Sequence, residues 1–502
     1  MRQRIGRRLI SIMLSVLMLV SLLPTAVFAE ELQNQDDVAI TEQVGEGTGN
    51  TVGDSNENKD STGGEETKGE SSTPYVAKVG GKEYATLEEA IAEANDGDTV
   101  TLLNDVTLTD TLTIKKVITL DLSGKTLTVQ TSGDGIVVNN AELALANSGS
   151  SGKYIFDCSA GGSDGVYVFN EDANTTSKLI VNSDVEIKVN SNVNSAIHAF
   201  GKQGTAVVDI SNGKITATGS GKRFHAIHAD QNSTINVTGG EFSLNVDFES
   251  YSESNDVVGV AIFGNAGKQE NIHVNITNGK FTVGGKNAFA QAVQVGMVND
   301  YSKECTVSIS GGEIVLNPTD NGTGYVYATY KTSYATAEIT GGSVSGTVTA
   351  LVNPYITSTD IPNDGLTVSG GTFSTEVAAK YLAEGTELKP NEDGTYGVEA
   401  AKVASVGGVV YPTLEAAFAA LSTENHTLTL IKADAWAEST PVYWKAGDSK
   451  YTAAATLAAA LTAAYMANGD NITIVCRPGA DVGTMTHGHV ADNVTIYGNN
   501  AY

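Results

Sequence analysis

Two histidines occupy the same place in a phrase that returns one repeat later: Ala196-Ile197-His198-Ala199 and Ala226-Ile227-His228-Ala229. If successive repeats stack as neighbouring strands, the two imidazoles stand about 5 Å apart. Ile197 and Ile227 then point inward and both histidines outward. Such a pair could ligate a metal together with His225 or Asp230. Phe263, at the matching place of the following repeat, favours the plainer reading, a surface histidine ladder without metal. A second group is aromatic: Tyr325, Tyr327, Tyr330 and Tyr334, with Tyr301 nearby. Tyr325 and Tyr327 fall on one strand face, and exposed tyrosines can stack on sugar rings and hydrogen-bond their hydroxyls. Ordinary half-buried strand tyrosines are the plainer alternative. The candidate ligand-contacting residues are therefore Tyr325, Tyr327, Tyr330, Tyr334, His198 and His228. No residue is assigned to catalysis, to a cofactor or to a metal.

Other chemistry is poorly provided for. The three cysteines, Cys158, Cys305 and Cys476, are widely spaced, with no Cys-x-x-Cys and no His/Cys cluster at zinc spacing. They read as small apolar residues of an interior. The Asp/Asn-rich turns match neither the EF-hand nor the nonapeptide calcium repeat. Net charge is −28, with 58 acidic against 30 basic residues. Beyond residue 8 the arginines are Arg223 and Arg477 alone. That surface repels nucleic acid and anionic lipid headgroups, and it favours solubility.

The elements that must position these residues are repeats. The phrase apolar-x-apolar-Ser/Thr-Gly/Asn-Gly-x-apolar returns at Val208–Ile215, Ile235–Phe242, Val274–Phe281, Val307–Ile314, Ala337–Val344 and Leu366–Phe373. A period of about 30 residues marks a repeat architecture. Each phrase predicts a short strand, a glycine corner and the start of another strand, since Asn-Gly and Gly-Gly supply positive φ at little steric cost. Midway between phrases lies another apolar strand, at 195–200, 225–230, 258–263, 292–295, 325–328 and 349–352. Three short strands per repeat suit a parallel β-solenoid, whose single coils bury too little to stand alone but share a core when stacked.

In chain order, residues 1–29 read as a secretory signal peptide: Arg2, Arg4, Arg7 and Arg8, an apolar run Leu9–Leu23, and a small-residue cleavage site at Val27-Phe28-Ala29. Residues 30–75 are polar, acidic and poor in apolar side chains, which predicts a disordered linker. Residues 76–400 are predicted to form the solenoid. It opens on an amphipathic helix in which Leu87, Ala90, Ile91 and Ala94 form one stripe. Thr86 and Glu89 would make its capping box, and the helix would cover the exposed solenoid end. The opening module returns at 401–440, where Val406-Gly-Gly-Val-Val-Tyr-Pro-Thr-Leu-Glu-Ala-Ala-Phe aligns with Val79-Gly-Gly-Lys-Glu-Tyr-Ala-Thr-Leu-Glu-Glu-Ala-Ile. A looser third copy fills 441–502 and reads as the start of an incomplete β-helix, with Tyr502 a fragment boundary; the alternative is that this last module is a short cap.

Four features resemble the pectin-lyase-like right-handed parallel β-helix surface proteins of gut Firmicutes. They are the signal peptide, the opening Tyr84-x-Thr86-Leu87 followed by Gly97-Asp98-Thr99-Val100-Thr101-Leu102, the phrase Gly370-Gly371-Thr372-Phe373-Ser374, and the close Asn391-Glu392-Asp393-Gly394-Thr395-Tyr396. The resemblance covers roughly residues 76–400. It implies the fold, an all-β solenoid with short amphipathic capping helices, and a location at the cell surface. It leaves activity open, because the superfamily holds lyases, hydrolases and adhesins. A wall-sorting Leu-Pro-x-Thr-Gly with a hydrophobic tail does not occur in the sequence. The lyases of this fold use Arg or Lys with Asp-bound calcium, whereas the first solenoid has a single arginine, Arg223, beside Lys222. The hydrolases cluster Asp with a Gly-His-Gly-type motif, of which Thr486-His487-Gly488-His489 is a faint echo. The expectation is an exported, non-catalytic β-helix protein, an adhesin or glycan-contacting display stalk. The alternatives are a carbohydrate-active β-helix enzyme (polysaccharide hydrolase or lyase) and a purely structural spacer. Host or dietary glycans or surface proteins are the expected partners. Nucleic acid, cofactors and a transmembrane segment in the mature chain are not expected, and the chain reads as a monomer.

Overall fold

The alternation of apolar and polar residues within each repeat produces short strands, and the repeat length sets which strands meet. The computed structural model describes residues 74–502 apart from 162, 191–193, 220–222, 247–257, 265–270, 287–288, 296–304, 320–322, 330–334, 347, 351–365, 468–470, 483–493 and 499–502. The signal peptide and nearly all of the linker expected from the sequence lie outside the described residues, as do Tyr330, Tyr334, Lys222 and residues 486–489. The described chain is mostly β, and its strands pair in parallel with the strand about one repeat further on. A long parallel sheet of this kind is compatible with a solenoid.

Each repeat contributes to three rows of strands. One row forms a nine-stranded parallel sheet that runs from Leu112–Ile114 through Ile136–Asn139, Val166–Phe169, Asn194–Phe200 and Arg223–Ala229 to Val348–Ala350. The other two rows belong to a larger sheet and meet at the glycine corners. Ser233–Val246 and Ile272–Lys286 run through that corner as single long strands, with register shifts between Val237 and Glu241.

Stacking in register lines up like with like. In one row Leu143, Leu179, Val208, Ile235, Val274, Val307, Ala337 and Leu366 follow one another from strand to strand, all buried. In the next row the column is Leu127, Tyr154, Ile187, Ile215, Phe242, Phe281, Ile314, Val344 and Phe373, again buried throughout. Burying each large aliphatic side chain stabilises by about 1.5–3 kcal/mol, so these columns are a leading favourable term for the fold. The Phe242 and Phe281 rings lie 4.5 Å apart and nearly parallel.

On the outer side of the same strands charge alternates. Lys153, Glu186, Lys214, Glu241, Lys280 and Glu313 occupy successive register positions. Lys153 and Glu186 meet at 3.0 Å, as do Lys280 and Glu313. Opposite charges directly across a strand pair favour this register over any slipped one.

The corners are tight. In Gly-Gly phrases the second glycine has positive φ, as at Gly240 (φ 92°), while the first sits hard against the repeat before it. A Cβ on Gly239 would lie 2.2 Å from the Ser211 carbonyl oxygen. The same relation holds for Gly311 over Thr277, Gly341 over Ser310 and Gly370 over Thr340.

Antiparallel pieces stand at both ends of the parallel stack. At the start, Ala77–Val79 pairs antiparallel with Lys82–Tyr84 and with Thr99–Leu102, the last of which joins the parallel row. The helix Leu87–Glu93 packs Leu87, Ala90 and Ile91 on the core, and the Thr86 hydroxyl caps it by accepting from the Glu89 backbone N–H at 3.2 Å. At the close, Thr372–Phe373 pairs antiparallel with Tyr396–Ala400, which forms a hairpin with Thr386–Pro390.

The strand-strand-helix-strand order of the opening module recurs twice. In the second copy Ala404–Val406 pairs with Val409–Tyr411 and Leu428–Leu430 around the helix Leu414–Ala419, capped by Thr413. In the third, Val442–Ala446 pairs with Thr452–Ala454 and Ile472–Cys476 around the helix Leu457–Met466, capped by Thr456. Ile472–Cys476 then pairs in parallel with Val494–Tyr497. The apolar cluster of the second copy closes around buried Trp436, whose indole N–H donates to the Thr440 carbonyl at 2.8 Å, and takes in Val475 and Tyr443 of the third copy, which has a further cluster around Val442, Leu457 and Ile474. Among the described residues no helix is long and apolar enough to cross a membrane.

Candidate functional site

The nine-stranded sheet carries both histidines. Its strands alternate, so Ile197, Ala199, Ile227 and Ala229 are buried while His198 and His228 face the other way. His198 lies in register with His228, and the two rings stack at 4.1 Å with an 8° interplanar angle. The spacing matches the expectation, but the surroundings are not those of a surface ladder. The His198 side chain is only 14% exposed.

What encloses it is a polar column of which the sequence points only to His225. Asp134, Asp164, Ser195 and His225, one per repeat, sit two residues ahead of Ile136, Val166, Ile197 and Ile227, which are in register. The Asp164 backbone N–H donates to Asp134 Oδ1 at 2.9 Å, and the Ser195 backbone N–H donates to Asp164 Oδ1 at 2.8 Å. Ser195 Oγ and His225 Nδ1 are 3.4 Å apart. Asp164, Ser195 and His225 are buried, which a carboxylate tolerates only when hydrogen-bonded. The remaining Asp164 oxygen, Oδ2, takes His198 Nδ1 at 2.8 Å. The signal was present in the chain as Asp-Gly-Ile at 134–136 and Asp-Gly-Val at 164–166.

The electrostatics divide the two histidines. Burial alone would lower the His198 pKa, but the charge and hydrogen bond of Asp164, with Asp230 and Asp134 behind it, raise it. His228 is held well below its ordinary value by burial and then by the neighbouring His198 and His225, so it is neutral at physiological pH. Burial, followed by the charge of Asp164, lifts Asp134 to about 6. Cys158 is buried, its thiol pushed up to about 12 by burial and by Asp134 and Asp164, and its Sγ lies 3.4 Å from the Asp164 carbonyl. It is an inert interior thiol, as expected; Cys476 is likewise free and buried.

Asp230 follows His228 by two residues. Its Oδ1 accepts from the Gln231 backbone N–H at 2.8 Å, and its Oδ2 faces His198 Nε2 at 4.0 Å. Nitrogen of His198, nitrogen of His228 and oxygen of Asp230 all lie within 4.8 Å of one another.

Aromatic rings flank the histidines on the same sheet face. Tyr167 is in register with His198, their rings 4.9 Å apart, and Phe169 is in register with Phe200 at 5.7 Å. All three aromatic side chains are half-buried. The tyrosines named from the sequence stand further along the sheet. Register puts Tyr327 in the column of Ile227 and Ile262, and Tyr325 in the column of His225 and Val260. Those columns are buried at His225 and Ile227; the side chains of Tyr325 and Tyr327 lie outside the described residues.

A separate open groove of about 620 Å³ follows the glycine corners, with Lys214, Glu241, Lys280 and Glu313 along it. Among the described residues it has no aromatic lining and shares no residue with the histidine site. Compared with known proteins, the chain matches no family model, no curated protein and no solved structure.

Proposed function

We propose that this chain is an exported, non-catalytic, right-handed parallel β-helix of the pectin-lyase-like type, presenting a binding face for neutral glycans at the cell surface. Parallel strands joined by crossovers are right-handed in about 98% of cases, which supports the handedness. One observation carries the binding reading: Tyr167, Phe169 and Phe200 form a half-buried aromatic row on the outer face of a sheet that stacking holds rigid. Aromatic faces of this kind stack on the apolar faces of sugar rings, while the Asp230 carboxylate beside them can accept hydrogen bonds from hydroxyls. A net charge of −28 disfavours polyanionic glycans. The sequence-based reading of residues 1–29 as a signal peptide supports export.

The test is a screen of the purified chain on plant and mucin polysaccharides, for binding and for turnover, with Tyr167→Ala and Phe200→Ala beside it. Binding to a neutral glycan, weakened at least tenfold in both variants, is the expected result. The carbohydrate-active enzyme is a second reading, favoured by the Asp134 carboxyl, whose pKa near 6 would suit a general acid. Turnover abolished by Asp134→Asn would establish it and sink the first reading. No glycan bound and no adhesion lost on deletion would favour the structural spacer.

A further inference from the structure

We propose that His198, His228 and Asp230 form a binding site for one divalent transition-metal ion of the zinc class. Two imidazole nitrogens and a carboxylate oxygen converge within 4.8 Å. This donor set suits zinc, cobalt or nickel and not calcium or magnesium, which take oxygen ligands. Three protein ligands would leave the fourth position of a tetrahedral ion open to water.

Asp164 prepares the site. By engaging His198 Nδ1 at 2.8 Å it fixes the tautomer, so that Nε2 carries the lone pair and faces Asp230. That nitrogen is buried and has no hydrogen-bond partner among the described residues. A histidine whose far nitrogen is held by a carboxylate is the usual arrangement around protein-bound zinc, and it raises ligand basicity. Asp164 is itself anchored by the Ser195 backbone N–H, so the orientation of His198 is set by the stacking of repeats.

Binding requires a defined movement. Zinc–nitrogen bonds of about 2.0–2.1 Å place tetrahedral donors about 3.3 Å apart, so the donors must draw in by roughly 1 Å. The ion also lies near the plane of each ring, and rings stacked at 8° cannot both satisfy that. His198 is pinned, so His228 turns about its broad χ2 torsion and the stack opens. Among the described residues there is one such site, and the pair does not extend along the sheet, because the register partners beyond it are Tyr167 and Phe263, neither a zinc-type donor.

The test uses the full chain stripped with a chelator and titrated with zinc by calorimetry, and with cobalt by its ligand-field absorption. The expected result is one ion per chain with a tetrahedral cobalt spectrum. His228→Ala and Asp230→Ala should each weaken binding at least tenfold, and Asp164→Asn about 10–100-fold although it touches no metal. His273→Ala, outside the site, should bind as the parent does. Histidine NMR of the unaltered chain is a second readout that needs no variant: zinc should shift His198 and His228. Absence of saturable binding, unshifted histidine signals at saturating zinc, or unchanged affinity in a folded His228→Ala chain would overturn the proposal.

Discussion

Gly239 offers the sharpest test of how the repeats stack. An added methyl at Gly239 would sit 2.2 Å from the Ser211 carbonyl oxygen of the preceding repeat, and 3.0 Å from its carbon. A comfortable Cβ–oxygen contact needs about 3.4 Å, so Gly239→Ala forces the corner to move by roughly 1 Å against backbone that cannot rotate away. Overpacking of this kind costs about 1–3 kcal/mol. Gly81→Ala is the control: its φ is +88° but nothing lies within 4 Å, so it carries only the conformational cost of about 1–2 kcal/mol. The two variants therefore need a readout of location as well as of size. Stacked repeats respond locally, because each touches only its neighbours. Hydrogen exchange should accelerate in Gly239→Ala at 205–215 and 233–246 and stay unchanged in the opening module, with the reverse pattern in Gly81→Ala. Unchanged protection at 205–215 in Gly239→Ala would refute the close stacking of corners.

Two further outcomes follow from the core and the polar column. Phe281→Ala removes a ring that is fully buried and stacked on Phe242; it should cost about 3–5 kcal/mol in denaturant unfolding, against under about 1.5 kcal/mol for Phe281→Leu if the column can close up. Asp134 binds its proton more tightly folded than unfolded, so the folded chain holds the extra proton between about pH 4 and 6 and stability falls as pH rises through that window. Asp134→Asn keeps the acceptor for the Asp164 N–H, should flatten that part of the Tm–pH profile, and should gain about 3 kcal/mol at pH 7.

The architecture was legible because it repeats. Gly213, Gly240, Gly279, Gly312, Gly342 and Gly371 were found by counting, and all six have positive φ. The Ile197/Ile227 match predicted that His198 and His228 would neighbour each other, and the parallel register bears that geometry out. Helix caps at Thr86, Thr413 and Thr456 follow from one local rule and recur with the module. The site was harder, because its residues are neighbours across repeats while a sequence is read along the chain. Asp134 and Asp164 precede a glycine and look like turn residues; only stacking joins them into one hydrogen-bonded column. Burial is hidden from the sequence for the same reason. Alternation says which way His198 points, but not what packs around its outer end.

The charge column on the outer sheet face constrains how such a chain can change length. Lys153, Glu186, Lys214, Glu241, Lys280 and Glu313 alternate strictly, so each repeat carries a parity, plus or minus. Loss of one interior repeat would bring two like charges face to face, as Lys153 against Lys214 if the Glu186 repeat were lost. Loss of an adjacent pair restores the alternation. The unit of gain or loss that would keep the alternation along this stretch is thus two repeats, whereas the neutral positions Ser343 and Thr372 leave the far end free to change by one.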